Sequence, residues 1–450
     1  MFEKKQKLIL ALTLAFLVLN FTPLSAQEVG GNLGGSTGVF RPKSAPKTAP
    51  AAKRETKTAP RKATPAVKPR PAPVAAKAKP APSSKTTIAE TSSRNRKSAP
   101  KVLPGKEKPP VANPEELFED AIEEGNAARD ERQFQRAELA YKRTLRQKPR
   151  DARAAYGLGN IYSDQQLWDE AEKHYRQAIE LQPKNADAYI ALSYVLVQPN
   201  RGGNVATRFV DAEAAARRAV ALDKNNHVAH DQLGVALEAR GMINAETENA
   251  YQRAIELNPN FPVPYAHLAR LLRKKGQQKD ANKAYKKAIE LANDAPSLIL
   301  VAEILQTEQR YEESEKLLRR VLTVDSDNPA ALFLLGRALL VRQNHAEAES
   351  FLLRSLAISP RTVFPHTILG SLYLRTERYE DAEKIFLKAL PFASEVERKQ
   401  LAGALGLVGD GYLLRKQQQN ALRVYRKARE LDADNPQLDA KIAAAQPINR

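Results

Sequence analysis

At 450 residues the chain is long enough for two or three ordinary domains, but its net charge of +19 is unevenly placed. Residues 41 to 112 hold 19 Lys or Arg against only Glu55, Glu90 and Glu107, while from Val111 onward acids and bases nearly balance, so the basic character belongs to one stretch and is no argument for a nucleic-acid-binding body. There is no cysteine, which excludes disulfides, thiolate metal sites, a cysteine nucleophile and a lipid-modified N-terminal cysteine.

Residues 1–26 read as an export signal. Lys4, Lys5 and Lys7 make a charged start, and Leu8 to Phe21 is apolar except for Thr13 and Asn20. Leu24-Ser25-Ala26 then offers a cleavage point before Gln27. The run is short of the roughly 20 residues that cross a bilayer. A secreted or periplasmic location follows as the expectation, with an uncleaved N-terminal membrane anchor as the alternative.

Residues 27–113 form the second region. The stretch Gly30-Gly31-Asn32-Leu33-Gly34-Gly35-Ser36-Thr37-Gly38 has no strand before it, no helix after it and no Gly-Lys-Ser/Thr ending, so it reads as a spacer and not a phosphate loop. Beyond it the chain repeats Pro, Ala and Lys, as in Lys77-Ala78-Lys79-Pro80-Ala81-Pro82. Proline removes amide donors, like charges repel, and little apolar surface offsets the entropy of ordering. A disordered, partly polyproline-II spacer or electrostatic tether is expected, reaching on the order of 200 Å when extended.

Residues 114–446 are Leu- and Ala-rich with helical periodicity, and no alternating strand pattern competes. The decisive feature is self-similarity. A small residue recurs at Gly125, Gly159, Ser193, Gly234, Ala269, Ala302, Gly336, Gly370 and Gly409, mostly 33 to 35 residues apart. A second small residue recurs at Ala137, Ala171, Ala212, Thr247, Ala281, Ser314, Ala348, Ala382 and Ala421. Four residues later comes a bulky group in eight of nine units: Tyr141, Tyr175, Tyr251, Tyr285, Leu318, Leu352, Phe386 and Tyr425, with Ala216 the exception. Antiparallel helices approach closely only where small side chains face each other, and the large residue one turn on fills the space beside them. Pro149, Pro183, Pro259 and Pro360 stop the second helices. The longer steps predict insertions near Gln198 to Asn204 and near Ser394 to Gln400, and Asn435 to Ala445 should form a capping helix.

These units resemble the tetratricopeptide repeat. The segment Ala155-Tyr156-Gly157-Leu158-Gly159-Asn160-Ile161-Tyr162, followed by Trp168, Ala171, Tyr175, Ala178 and Pro183, looks like a complete copy. So does His366 to Gly370 with Tyr373, Tyr379, Ala382, Phe386 and Ala389. The resemblance covers roughly 320 residues, about nine units in phase. It implies an all-α, right-handed superhelical solenoid whose first helices line a concave, peptide-binding face. Placed on that pattern, Tyr156, Asn160, Tyr194, Asp231, His267, Arg270, Arg273, Lys274, Glu303, Arg337 and Arg375 point toward the groove. A carboxylate clamp of the co-chaperone kind is not implied, because Ile122 and Gly157 stand where it would need Lys and Asn.

Sites for chemistry are scarce. His227 and His230 could share a helix face, but no third ligand is near, and His230 and His366 occupy positions that related repeats fill with bulky buried residues. Carboxylates interleave with Lys and Arg, as solvated helix faces do. No Gly-x-Ser-x-Gly elbow occurs. Trp168 sits where repeats pack a bulky residue at the hairpin turn. No enzyme, cofactor or metal is therefore expected. The expected partner is a protein or peptide, with an acidic segment favoured by Arg270, Arg273, Lys274 and Arg337. A second reading has the basic stretch bind an anionic envelope polymer or membrane surface. The export signal argues against nucleic acid.

Overall fold

A computed structural model describes residues 114–198 and 204–446. The expected export signal, the basic linker and residues 199–203 of the first insertion lie outside the described residues.

The described residues form nineteen α-helices and no strand. They pair in chain order as α1 (Pro114–Asp130) with α2 (Phe134–Gln147), α3 (Ala152–Asp164) with α4 (Trp168–Leu181), and α5 (Ala186–Leu196) with α6 (Val205–Leu222). Next come α7 (His227–Ala239) with α8 (Ala245–Leu257), α9 (Pro262–Lys274) with α10 (Gln278–Leu291), and α11 (Ala295–Thr307) with α12 (Tyr311–Val324). The last three pairs are α13 (Pro329–Val341) with α14 (His345–Ile358), α15 (Val363–Arg375) with α16 (Tyr379–Ala389), and α17 (Glu395–Leu414) with α18 (Gln418–Leu431). Helix α19 (Pro436–Ala445) closes the series at the expected place, its start capped by the Asn435 side chain.

Two local devices set each hairpin. Many first helices begin on a side-chain cap: Asp151, Asn185, Asn226, Asp294 and Asn328 each accept an amide hydrogen of the following turn. They end in a left-handed residue seven positions after the small one, at Arg132, Gln166, Gly241, Gly276, Gln309, Gln343, Glu377 and Lys416. The next amide then reaches back over the turn, as Leu167 N donates to Tyr162 O at 2.8 Å and Arg378 N to Tyr373 O at 2.8 Å. Only Gly241 and Gly276 adopt this conformation without a Cβ penalty.

The small-and-large recurrence is the contact between paired helices. A Cβ built on Gly125 would lie 2.6 Å from the Tyr141 ring, one on Gly159 2.5 Å from Tyr175, and one on Gly336 2.7 Å from Leu352. Gly234, Gly370 and Gly409 meet Tyr251, Phe386 and Tyr425 in the same way. Each glycine is a notch that admits the large residue of its own second helix. In the third unit Ser193 faces a helix that carries Ala216 instead, and Gln232 of the next unit donates to its hydroxyl at 3.1 Å.

From the third unit on, consecutive first helices pack on one another: α5 on α7, α7 on α9, and so on to α15 on α17. No two consecutive second helices pack to a comparable degree. First helices therefore form the inner, tight side of the stack and second helices splay on the outside. The second insertion becomes a 3-10 turn at Leu390–Phe392 and extra turns of α17, which has 20 residues and starts on a Ser394–Glu397 capping box.

The stack also contacts itself at long range. Arg132, in the turn of the first hairpin, pairs with Asp325 and donates to the Asp327 carbonyl at 3.1 Å, in the loop after the sixth hairpin.

Candidate functional site

The residues expected to line the inner face divide into those the stack consumes and those it leaves at the surface. Asn160 belongs to the first kind. It is buried and accepts the Tyr175 hydroxyl at 2.9 Å, as Asn126 accepts Tyr141 at 2.7 Å and Asp410 accepts Tyr425 at 2.6 Å. In these three repeats the residue after the small position thus faces its own second helix, and Asn160 fixes a tyrosine instead of meeting a ligand. Tyr156 is also buried, its ring 5.6 Å from that of Tyr175. Burial pushes its phenol well above the usual range, and its hydroxyl finds no partner among the described residues. Tyr194 packs edge-on against Trp168, with centroids 6.2 Å apart. The aromatic, amide-bearing end expected in the groove is core.

The expected basic centre is an internal network. Its hub is Glu238 on α7, at the same height as α9. Arg270 donates to it through two nitrogens at 3.0 and 2.9 Å, Lys274 lies 2.9 Å away, and the Tyr251 hydroxyl donates at 2.8 Å. Arg270 and Glu238 are both fully buried. Burial alone would raise the Glu238 carboxyl, but the Arg270 guanidinium and the Lys274 ammonium bring it down to about 2. Burial likewise opposes the charge on Arg270, and Glu238 reverses that, holding its pKa above the ordinary value. Beside this hub His267 Nδ1 sits 2.9 Å from Asp231 Oδ1, both side chains inside, with the imidazole 5.5 Å from the Tyr251 ring.

At the surface remain five of the eleven. Arg273 and Lys274 are exposed, yet Arg273 pairs with Glu308 and Lys274 with Glu238. Glu303, Arg337 and Arg375 are half-buried on α11, α13 and α15. Arg337 donates to Gln306 at 2.7 Å and stacks on Phe333 at 5.7 Å. Every cation that carried the expectation of an acidic partner thus has an internal acceptor. A carboxylate arriving from outside would compete with groups already in place.

Sequence reasoning missed Glu238, Glu308 and Gln306. The signal for Glu238 was present: one carboxylate in the otherwise apolar run Val235-Ala236-Leu237-Glu238-Ala239. His366 is buried, as expected, and its ring meets the Thr362 carbonyl at 2.6 Å. His230 is only half-buried and bonds the Lys224 carbonyl at 3.0 Å, because its loop and not the stack receives it. His227 bonds Asn258 at 3.2 Å. Among the described residues no three His, Asp or Glu side chains converge as metal ligands.

Family models described as tetratricopeptide repeat match residues 122–186, 158–201, 250–281, 302–361 and 365–434, together more than half of the chain. This is a tetratricopeptide repeat protein. Solved structures similar to this tetratricopeptide repeat protein include MamA, at 25% identity over 39% of this chain and 92% of that one, with a TM-score of 0.33. YrrB, titled a repeat protein with an unusual peptide-binding site, is 24% identical over 43% of this chain and 97% of its own, with a TM-score of 0.32. Human IFIT1, solved as a dimer with m7Gppp-AAAA, is 15% identical over 72% of this chain and 80% of its own, with a TM-score of 0.43. No curated protein matches the sequence.

Proposed function

We propose that this tetratricopeptide repeat protein is a non-enzymatic scaffold of the cell envelope that holds a segment of another exported protein against its first helices. The observation that carries this reading is the packing asymmetry: from the third unit on, first helices pack on their successors more closely than second helices do, which leaves an inner surface continuous over those units. An acidic segment would lie across α13 and α15, where it meets the half-buried Arg375 and draws Arg337 from Gln306, a neutral acceptor, to a charged one. Arg270 is sealed in the core, whereas this pair can be reversed in charge without breaking a buried ion pair. The double variant Arg337→Glu/Arg375→Glu should fold with an unchanged helical spectrum and lose an envelope protein that the native chain retains on affinity capture, with the native interaction weakening as salt rises. Retention of the same partner at the same salt dependence would reject the reading. Export is tested by N-terminal sequencing of the envelope fraction, which should begin at Gln27.

The second reading rests on charge: 19 Lys or Arg against three acids in residues 41 to 112. Near an anionic surface each such cation contributes about 1 kcal/mol. Deleting that stretch abolishes envelope association if it is the tether and preserves it if the first-helix surface is.

A further inference from the structure

The hairpin turn of the second repeat faces the 3-10 turn after the eighth across a cleft of about 340 Å3. Tyr162 and Trp168 make one wall, and Pro391 and Phe392 contribute to the other. The charge of the lining is one-sided. Glu138, Asp169, Glu170 and Glu397 stand against a single cation, Arg361, whose guanidinium lies over the Phe392 ring at 5.9 Å. Glu138 is held by Lys142 at 2.6 Å and by the Tyr162 hydroxyl at 2.9 Å, and Glu397 caps α17, whereas Asp169 and Glu170 are exposed.

Two polar atoms of the lining residues find no partner among the described residues: the Trp168 indole N–H and the Gln166 side-chain oxygen. Trp168 is only 7% exposed, so an unanswered donor there costs about 1–3 kcal/mol. The N–H is sealed from solvent as it stands, so a carbonyl oxygen brought into the cleft would answer it once the indole ring turned toward the cleft. The four carboxylates repel anions and nucleic acid. No three-ligand metal group exists among the described residues. The volume suits a few extended residues and not a helix. Proline meets these conditions well: its ring packs on aromatic faces, it brings no amide donor to bury, and its neighbours' carbonyls are exposed. Flanking Lys or Arg would meet the carboxylates.

We propose that this cleft binds an extended, cationic, proline-containing segment of a partner protein, with the Trp168 N–H donating to a backbone carbonyl and Glu170 pairing with a basic side chain. The site lies apart from the first-helix surface, so the failure of either proposal leaves the other standing.

Trp168 is the chain's only tryptophan, so its fluorescence reports the cleft directly. The full chain would be titrated with a synthetic peptide that its own sequence does not contain, Lys-Pro-Val-Pro-Lys-Pro-Val-Pro-Lys, with the peptide of the chain's residues 70–82 run beside it; tighter binding of the latter would show the chain's own linker, not a partner, to be the occupant and would overturn the assignment. A saturable emission shift is expected, and Glu170→Lys, an exposed change, should weaken it about tenfold. By calorimetry Trp168→Phe, which keeps a ring but no N–H, should also lose about tenfold. No shift with the native chain, an equal shift with a peptide whose basic residues are Glu, or full affinity in Trp168→Phe would each overturn the assignment. Emission that changes with protein concentration alone would show a second copy filling the cleft, and would overturn it too.

Discussion

A methyl group on Gly159 would come to 2.5 Å from Tyr175, a distance no packed carbon tolerates, whereas one on Gly403, within α17, would meet nothing within 4 Å. The two positions should therefore respond oppositely to alanine. Gly159→Ala should destabilise by about 1–3 kcal/mol through overpacking. Gly403→Ala should stabilise by about 0.5–1 kcal/mol, since it only removes backbone entropy from the unfolded chain. Urea midpoints of the two variants check this, and a loss at both positions would contradict the notch. The notch was legible because a small residue answering a large one is a steric rule that repeats with the unit. Asn160 was misread because an amide that accepts a tyrosine hydroxyl and one that awaits a ligand are the same residue type. The distinguishing signal was a constant separation of 15 between acceptor and tyrosine at Asn126 and Tyr141, Asn160 and Tyr175, and Asp410 and Tyr425. In the fifth repeat that acceptor position holds Arg270, which only donates, and the Tyr285 hydroxyl accordingly has no partner among the described residues.

Between elements, α7 and α9 are joined by charge as well as by apolar contact. The Glu238 carboxyl lies below its ordinary value in the folded state, so its contribution is fully present above the unfolded value of about 4.5 and is lost as pH falls toward about 2. The loss over that window is on the order of 3 kcal/mol. Arg270→Met alone should cost about 3 kcal/mol, because it leaves the buried carboxylate with only Lys274 and the Tyr251 hydroxyl. Adding Glu238→Leu should recover most of that cost and remove this part of the acid dependence, as paired hydrophobic replacements of buried ion pairs do. Urea titrations at neutral and acid pH distinguish the three proteins, and a double variant no more stable than Arg270→Met would refute the pairing. Periodicity marked Arg270 as a first-helix residue but could not say whether its side chain turned inward, since that depends on Glu238 one repeat earlier. The insertion before α17 was visible as a longer step. Its form, extra helical turns opened by Ser394 and Glu397, follows from a capping signal that the spacing alone did not use.

At the scale of the whole described region, the contact between Arg132 and Asp325 joins residues 193 positions apart. No local pattern foretells it. A repeat sequence specifies how one hairpin sits on the next, and the small rotation per unit becomes a long-range contact only after several units have accumulated. Because the chain has no native cysteine, the contact can be trapped cleanly. The variant Arg132→Cys/Asp325→Cys treated with a short bismaleimide should give an internally linked monomer of altered gel mobility. Arg132→Cys paired with Val324→Cys, an exposed neighbour, measures how tightly the register is defined, and equal linking of both pairs would argue against a fixed contact.

Tandem arrays ordinarily lengthen or shorten by unequal recombination, since adding a unit to an open stack disturbs only its two neighbours. Here the first and sixth hairpins are tied across the intervening ones. A unit duplicated or lost among them would carry Asp325 away from Arg132 and shift every partner that meets across that gap. The length of the array between them is thus coupled to that contact, whereas substitutions within those units need not touch it.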